Sequence, residues 1–101
     1  MDVTIVIPTY KRADRIVRAV NSALEQTVKD KEVIVVDDNG KNSKAQLETE
    51  QALKDFIENR KITYLVNEVN RGGSFSRNRG LEVATSKYIT FLDDDDEINP
   101  K

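Results

Sequence analysis

Apolar positions along this chain follow two rhythms that alternate. Val3-Thr4-Ile5-Val6-Ile7 is a short, β-branched, almost continuously apolar run ended by Pro8. That pattern predicts a strand covered on both faces, as in parallel sheets. From residue 12 to about residue 26 the apolar positions are Ile16, Val20, Ala23 and Leu24. Their i, i+4, i+7, i+8 spacing predicts one face of an amphipathic helix. Residues 32–36 repeat the strand pattern and stop at Asp37-Asp38-Asn39-Gly40, a turn signal. Ser43 is expected to cap a second helix reaching about residue 59, with Leu53, Phe56 and Ile57 inward. Leu47 fits that stripe less well. A third strand at residues 62–66 and a loop at 67–73 lead into a helix over about 74–85. Phe75, Leu81 and Ala84 are its apolar members, and Gly80 lies inside it at a cost of about 1 kcal/mol relative to Ala. Residues 88–92 form the fourth strand.

The order βαβαβαβ predicts a doubly wound, mostly parallel, Rossmann-like α/β sheet. In such sheets ligands sit beyond the carboxyl ends of the strands, where the strand order reverses. After the first strand come Pro8, Thr9, Tyr10, Lys11 and Arg12; after the second, Asp37, Asp38 and Asn39. The third is followed by Asn70-Arg71-Gly72-Gly73-Ser74, and the fourth by Asp93-Asp94-Asp95-Asp96. The distinctive polar chemistry therefore collects at one sheet edge.

Composition narrows what that edge can do. The 101 residues are enough for one small domain. They include no Cys, His or Trp. Disulfides, Cys or His metal centres and a His general base are thereby excluded. A metal site would need oxygen ligands, which suit Mg, Mn or Ca. Sixteen Lys and Arg against 18 Asp and Glu give a net charge of -2, which argues against nucleic acid as a partner. Acids concentrate at residues 93–97 and at Asp37-Asp38; bases concentrate at Lys11, Arg12, Arg15 and Arg18, then at Arg71, Arg77 and Arg79. The longest aliphatic run, residues 33–36, is far short of the roughly 20 residues a bilayer span needs. Met1-Asp2 lacks the basic start of a signal peptide, and a cytoplasmic location is expected.

Each cluster has a functional and a plain reading. The run from Asp93 to Asp96 suits a divalent cation bridging to phosphate oxygens, or is a solvated acidic loop. Asp37 and Asp38 suit bonds from a sugar hydroxyl or base N–H, or form an Asx turn. Tyr10 offers a face for a base, or packs. Asn70-Arg71-Gly72-Gly73 lets a phosphate approach the following helix, or is a turn and cap. It matches neither common nucleotide fingerprint. The apolar stripe does not decide whether Arg77, Asn78 and Arg79 face the edge.

Taken in register, these blocks resemble the amino-terminal half of family 2 glycosyltransferases of the GT-A fold. The resemblance runs through Val3 to Tyr10, Val35-Val36-Asp37-Asp38-Asn39, residues 70–81 and residues 88–96. It implies transfer of a sugar from a nucleotide donor, most often a UDP-sugar, to an acceptor hydroxyl, with Mn or Mg offsetting pyrophosphate charge. Carried over by position, Pro8, Tyr10, Asp38, Arg71 and Asp93 are nucleotide-binding; Tyr10 lies beside the uracil and Asp38 meets its polar edge. Asp93 and Asp95 form the Asp-x-Asp motif, Asp95 as metal ligand and Asp93 nearer the ribose. Lys11 and Ser86 stand where the family often has Asn and Gly. The family's acceptor-binding half and catalytic carboxylate would lie beyond Lys101, so residues 1–101 are expected to be a truncated donor-binding subdomain, inactive alone. The acceptor and any membrane association through missing sequence stay open. An exposed sheet edge is expected to favour a homodimer or marginal stability. The alternative is a non-catalytic nucleotide-binding or interaction module of the same half-fold. A receiver-like phosphoacceptor domain is disfavoured, since Val66-Asn67-Glu68 offers no Asp after the third strand.

Overall fold

A computed structural model of the protein describes residues 3–26 and 30–93. It contains β1 (Val3–Thr9), α1 (Ile16–Leu24), β2 (Lys31–Asp37), α2 (Lys44–Glu58), β3 (Thr63–Val66), α3 (Gly73–Val83) and β4 (Tyr88–Phe91). All strand pairs are parallel, in the order β3-β2-β1-β4. From β1 the chain steps outward through β2 to β3, and α1 and α2 pack together on one face. It must then return across the sheet to place β4 beside β1. The fixed hand of parallel crossovers puts that returning helix, α3, on the opposite face. The strand order therefore reverses between β1 and β4.

Both faces of the central strands are covered, which explains their unbroken apolar runs. Ile5, Ile7, Val33 and Val35 pack with Ile16, Val20, Ala23 and Leu53 on the α1/α2 side. Val6, Ile34 and Val36 form a smaller cluster with Leu65, Ala84 and Ile89 on the other side. Ser43 caps α2 as its sequence predicts, its Oγ accepting from the Gln46 N–H at 3.2 Å. Leu47, off the apolar stripe, is exposed. β4 pairs with β1 alone among the described strands, leaving Tyr88 and Phe91 exposed at the sheet margin.

Three expectations are corrected. β1 does not stop at Pro8 but continues to Thr9, with Pro8 opposite Val36. The Thr9 carbonyl accepts from the Asp38 N–H on the β2 side, so the position of the missing Pro8 N–H faces the other way. There, β4 pairing has already ended at Val6–Phe91, and the proline removes no ladder bond. α1 begins at Ile16 rather than residue 12, because Arg12 to Arg15 form a tight turn in which the Arg12 carbonyl accepts from Arg15 and Ile16.

The third correction concerns which face of α3 is inward. Phe75 and Leu81 are exposed, while Ser76 and Gly80 are buried. The reason is close approach to the sheet: a Cβ on Gly80 would sit 2.4 Å from Val6 Cγ1. Gly80 is thus a contact requirement rather than a helix defect. Gly80→Ala should destabilise the protein, because overpacking of about 1–3 kcal/mol outweighs the propensity gain of about 1 kcal/mol. Urea unfolding measures the balance; an unchanged or higher midpoint would show that α3 can lift from Val6 freely.

Candidate functional site

Asp37, Asp38 and Asn39 end the second strand, and their side chains go to three different places. Asp38 is 4% exposed. Its Oδ1 accepts from Asn67 Nδ2 at 2.7 Å and from the Arg71 N–H at 2.8 Å. Its Oδ2 accepts from Asn70 Nδ2 at 2.6 Å and from the Gly72 N–H at 2.8 Å. A carboxylate has about four lone-pair sites, and all are engaged by the loop between β3 and α3. Gly72 has φ +94, a backbone that suits glycine, and it stands at the amino end of α3.

Asn67 is buried behind this clamp. Its Nδ2 also donates to Ser76 Oγ at 3.0 Å, and its Oδ1 accepts from Arg79 Nη1 at 2.8 Å. Arg79 further donates to the Val66 carbonyl, so its guanidinium is a brace for the end of β3. Asn78 points to solvent. Arg77 faces the sheet edge, with Nη2 3.8 Å from Asp93 Oδ1. Gly73 leaves room for this, since a Cβ there would lie 3.1 Å from Arg77 Nη1.

Asp37 turns the other way. Its Oδ2 accepts from the Tyr64 hydroxyl at 2.5 Å, while its Oδ1 accepts from Asn39 N and Asn39 Nδ2 at 3.0 and 2.7 Å. Burial pushes the Asp37 carboxyl above its usual 3.8, with the Asp38 charge adding to the rise and the Tyr64 and Asn39 bonds opposing it. Burial and donation to Asp37 together hold the Tyr64 hydroxyl well above its ordinary value. Asn39 Oδ1 accepts from the Lys11 N–H at 2.7 Å. Lys11 has φ +54, a left-handed backbone that costs a non-glycine residue about 1–2 kcal/mol. The Lys11 ammonium lies 5.2 Å from the centre of the Tyr10 ring.

A cleft of about 280 Å³ opens at the β1/β4 reversal, lined by Pro8, Tyr10, Asp38, Gly73, Arg77 and Asp93 among others. A larger cleft of about 660 Å³ lies on the other side of Tyr10, against Lys11, Asn39 and Lys44. The smaller one is the candidate site, because it sits where the strand order reverses and where Asp93 and Arg77 meet. Of the residues singled out in the sequence, Pro8, Tyr10, Asp38 and Asp93 come together here. The Arg71 guanidinium does not join them; it stacks on Phe75, 5.1 Å from the ring centre, and only its N–H reaches Asp38. Asp94, Asp95 and Asp96 lie outside the described residues. Within the described residues no three carboxylates gather around one point. Tyr64, Asn67 and the Asn39 side chain carried no separate sequence signal, whereas Asn70 belongs to the glycine-rich block.

The sequence of residues 4–101 matches the model of glycosyl transferase family 2. The chain belongs to that family. An uncharacterised glycosyltransferase of Escherichia coli, YibD, is 34% identical over 97 residues, covering 96% of this chain and 27% of the relative. The structure of S. aureus TarS in complex with UDP-GlcNAc superposes with a TM-score of 0.81 at 29% identity, over 98% of this chain and 28% of that one. The mannosyltransferase PcManGT of Pyrobaculum calidifontis, in complex with GDP-Man and Mn2+, gives 0.77 at 26% identity, over 92% and 27%. This family 2 chain thus has the fold of the amino-terminal GT-A region and spans under a third of these relatives. Among its described residues no helix is long and apolar enough to cross a membrane.

The Tyr64–Asp37 bond has a measurable pH signature. The folded-state value for Tyr64 lies above the ordinary 10.0, so the unfolded chain ionises first. The stabilisation is full below pH 10 and is lost as pH rises, at about 1.4 kcal/mol per unit. Urea unfolding above pH 10 should fall more steeply for the wild type than for Tyr64→Phe by that amount. Parallel slopes would remove the claim that this hydroxyl stays protonated.

Proposed function

We propose that this region binds the nucleotide-sugar donor of a family 2 glycosyltransferase, with a UDP-sugar as the donor class. The observation that carries the reading is the cleft at the β1/β4 reversal, which joins an aromatic face, an arginine and a strand-end carboxylate. Tyr10 offers its face to the base, Pro8 shapes the floor, and Arg77 offsets pyrophosphate charge. Asp38 acts through the loop it holds, including the Arg71 N–H, since its own oxygens are filled. Arg71 reaches the donor only by leaving Phe75.

Asp93 fits the metal half of this reading. It is exposed at the cleft mouth, and among the described residues its oxygens meet only the loose Arg77 pair. One or two carboxylates plus donor phosphates are the usual surroundings of Mg or Mn. Asp93 and Asp95 would hold the ion, which neutralises the departing diphosphate. The UDP-GlcNAc complex of TarS supports a uridine donor, and the GDP-Man and Mn2+ complex of PcManGT supports the metal while leaving guanine as the competing base. Because nucleotide sugars are made in the cytoplasm, the donor site is assigned to that side. In this reading the nucleophile is a hydroxyl of the acceptor substrate, and no residue of this chain is assigned as the base that deprotonates it.

Titration calorimetry of UDP and of GDP, each with and without Mn, tests it. UDP should bind in a Mn-dependent manner and more tightly than GDP. Asp93→Ala and Asp95→Ala should each weaken Mn-dependent binding about tenfold, or about 1.4 kcal/mol. Tighter GDP binding would replace the uridine assignment, and binding of neither nucleotide by folded protein would end the donor reading.

A further inference from the structure

We infer that Asn39 is a positioning residue that sets the Tyr10–Lys11 corner for the nucleotide base. The inference rests on the donor-binding reading and extends it to a side chain outside the lining of the smaller cleft. Tyr10 is half-exposed and forms the wall shared by the two clefts at the sheet edge. The direction of its ring depends on the chain leaving β1, and that chain turns through a left-handed lysine. Lysine has no intrinsic preference for this conformation. The turn is instead held from 28 positions away, by Asn39 Oδ1 accepting from the Lys11 N–H at 2.7 Å.

The chemistry of the neighbours fixes which way the Asn39 amide points. Asp37 Oδ1 takes the Asn39 Nδ2 donor at 2.7 Å, and the Lys11 N–H can only donate. The oxygen must therefore face Lys11 and the nitrogen must face Asp37. Asp37 is itself held by Tyr64 from β3, and Tyr64 accepts from Gln46 Nε2 of α2 at 3.1 Å. A line of bonds thus runs from α2 and β3, through β2, to the end of β1. Neither smaller nor acidic side chains reproduce the link. Alanine or glycine drops the bond, and aspartate would set a second carboxylate against Asp37.

The test is UDP titration into wild type, Asn39→Ala, Lys11→Asn and the double variant, with Lys11 amide exchange followed by NMR in the unliganded proteins. Asn39→Ala should weaken UDP about tenfold and release the Lys11 amide to exchange. Asparagine tolerates the left-handed backbone better than lysine does. Lys11→Asn in the Asn39→Ala background should therefore recover most of the affinity. Should Asn39→Ala fail to fold, Asn39→Ser takes its place: its shorter hydroxyl cannot bridge the Lys11 N–H and Asp37 together, and the same tenfold loss is expected. A lower melting temperature with unchanged UDP affinity would reduce Asn39 to a purely structural role and overturn the inference alone. Absence of UDP binding in the wild type would overturn it together with the donor reading.

Discussion

The buried carboxylate of Asp38 is the interaction on which the shape of the sheet edge depends. Two of its four donors are main-chain N–H groups, at Arg71 and Gly72, and two are the amides of Asn67 and Asn70. A loop with no strand or helix of its own has few other ways to satisfy its backbone. Hydrogen bonds to a charged acceptor contribute about 1.5–3 kcal/mol each in general, so four of them offset much of the conformational entropy lost in ordering such a loop. The start of α3 follows from this, because the Gly72 carbonyl accepts from the Ser76 N–H. Arg77, one turn into that helix, is thereby placed opposite Asp93.

Seen from Asp38, the three-residue turn after β2 has a division of labour. Asp38 secures the β3–α3 loop, Asn39 secures the β1–α1 corner, and Asp37 ties Asn39 to Tyr64. The two walls of the cleft are loops from different crossovers. Putting adjacent side chains of one strand end on both walls gives them a common reference. That structural role is one the sequence alone does not reveal.

The fold was largely legible because its main signals are local. Strand runs, the Ser43 cap and the alternation of periods each depend on a few neighbouring residues, and parallel crossovers then leave few arrangements. What was misread depends on contacts across the chain. The stripe Phe75–Leu81–Ala84 looks apolar enough to be the buried face of α3, yet the small residues Ser76 and Gly80 face the sheet because the helix comes so close to Val6. Pro8 looks like a strand end, and only the position of β4 shows that its missing N–H is harmless. In the site, residue types were visible but their obligations were not. A buried Asp reads the same in sequence whether its oxygens face a ligand or four internal donors.

That difference bears on how such edges should be read in related chains. A carboxylate that accepts four bonds from its own fold shapes the loop around it, whereas Asp93 is exposed and, among the described residues, only loosely paired with Arg77. Arginines divide in the same way: Arg79 is spent on the Val66 carbonyl and Asn67, Arg71 rests on Phe75, and Arg77 is turned toward the cleft. The spacing of the motif places all of these residues near the edge. Which of them can act is decided by what already occupies their donors and acceptors, and that accounting requires the long-range hydrogen bonds of the folded chain.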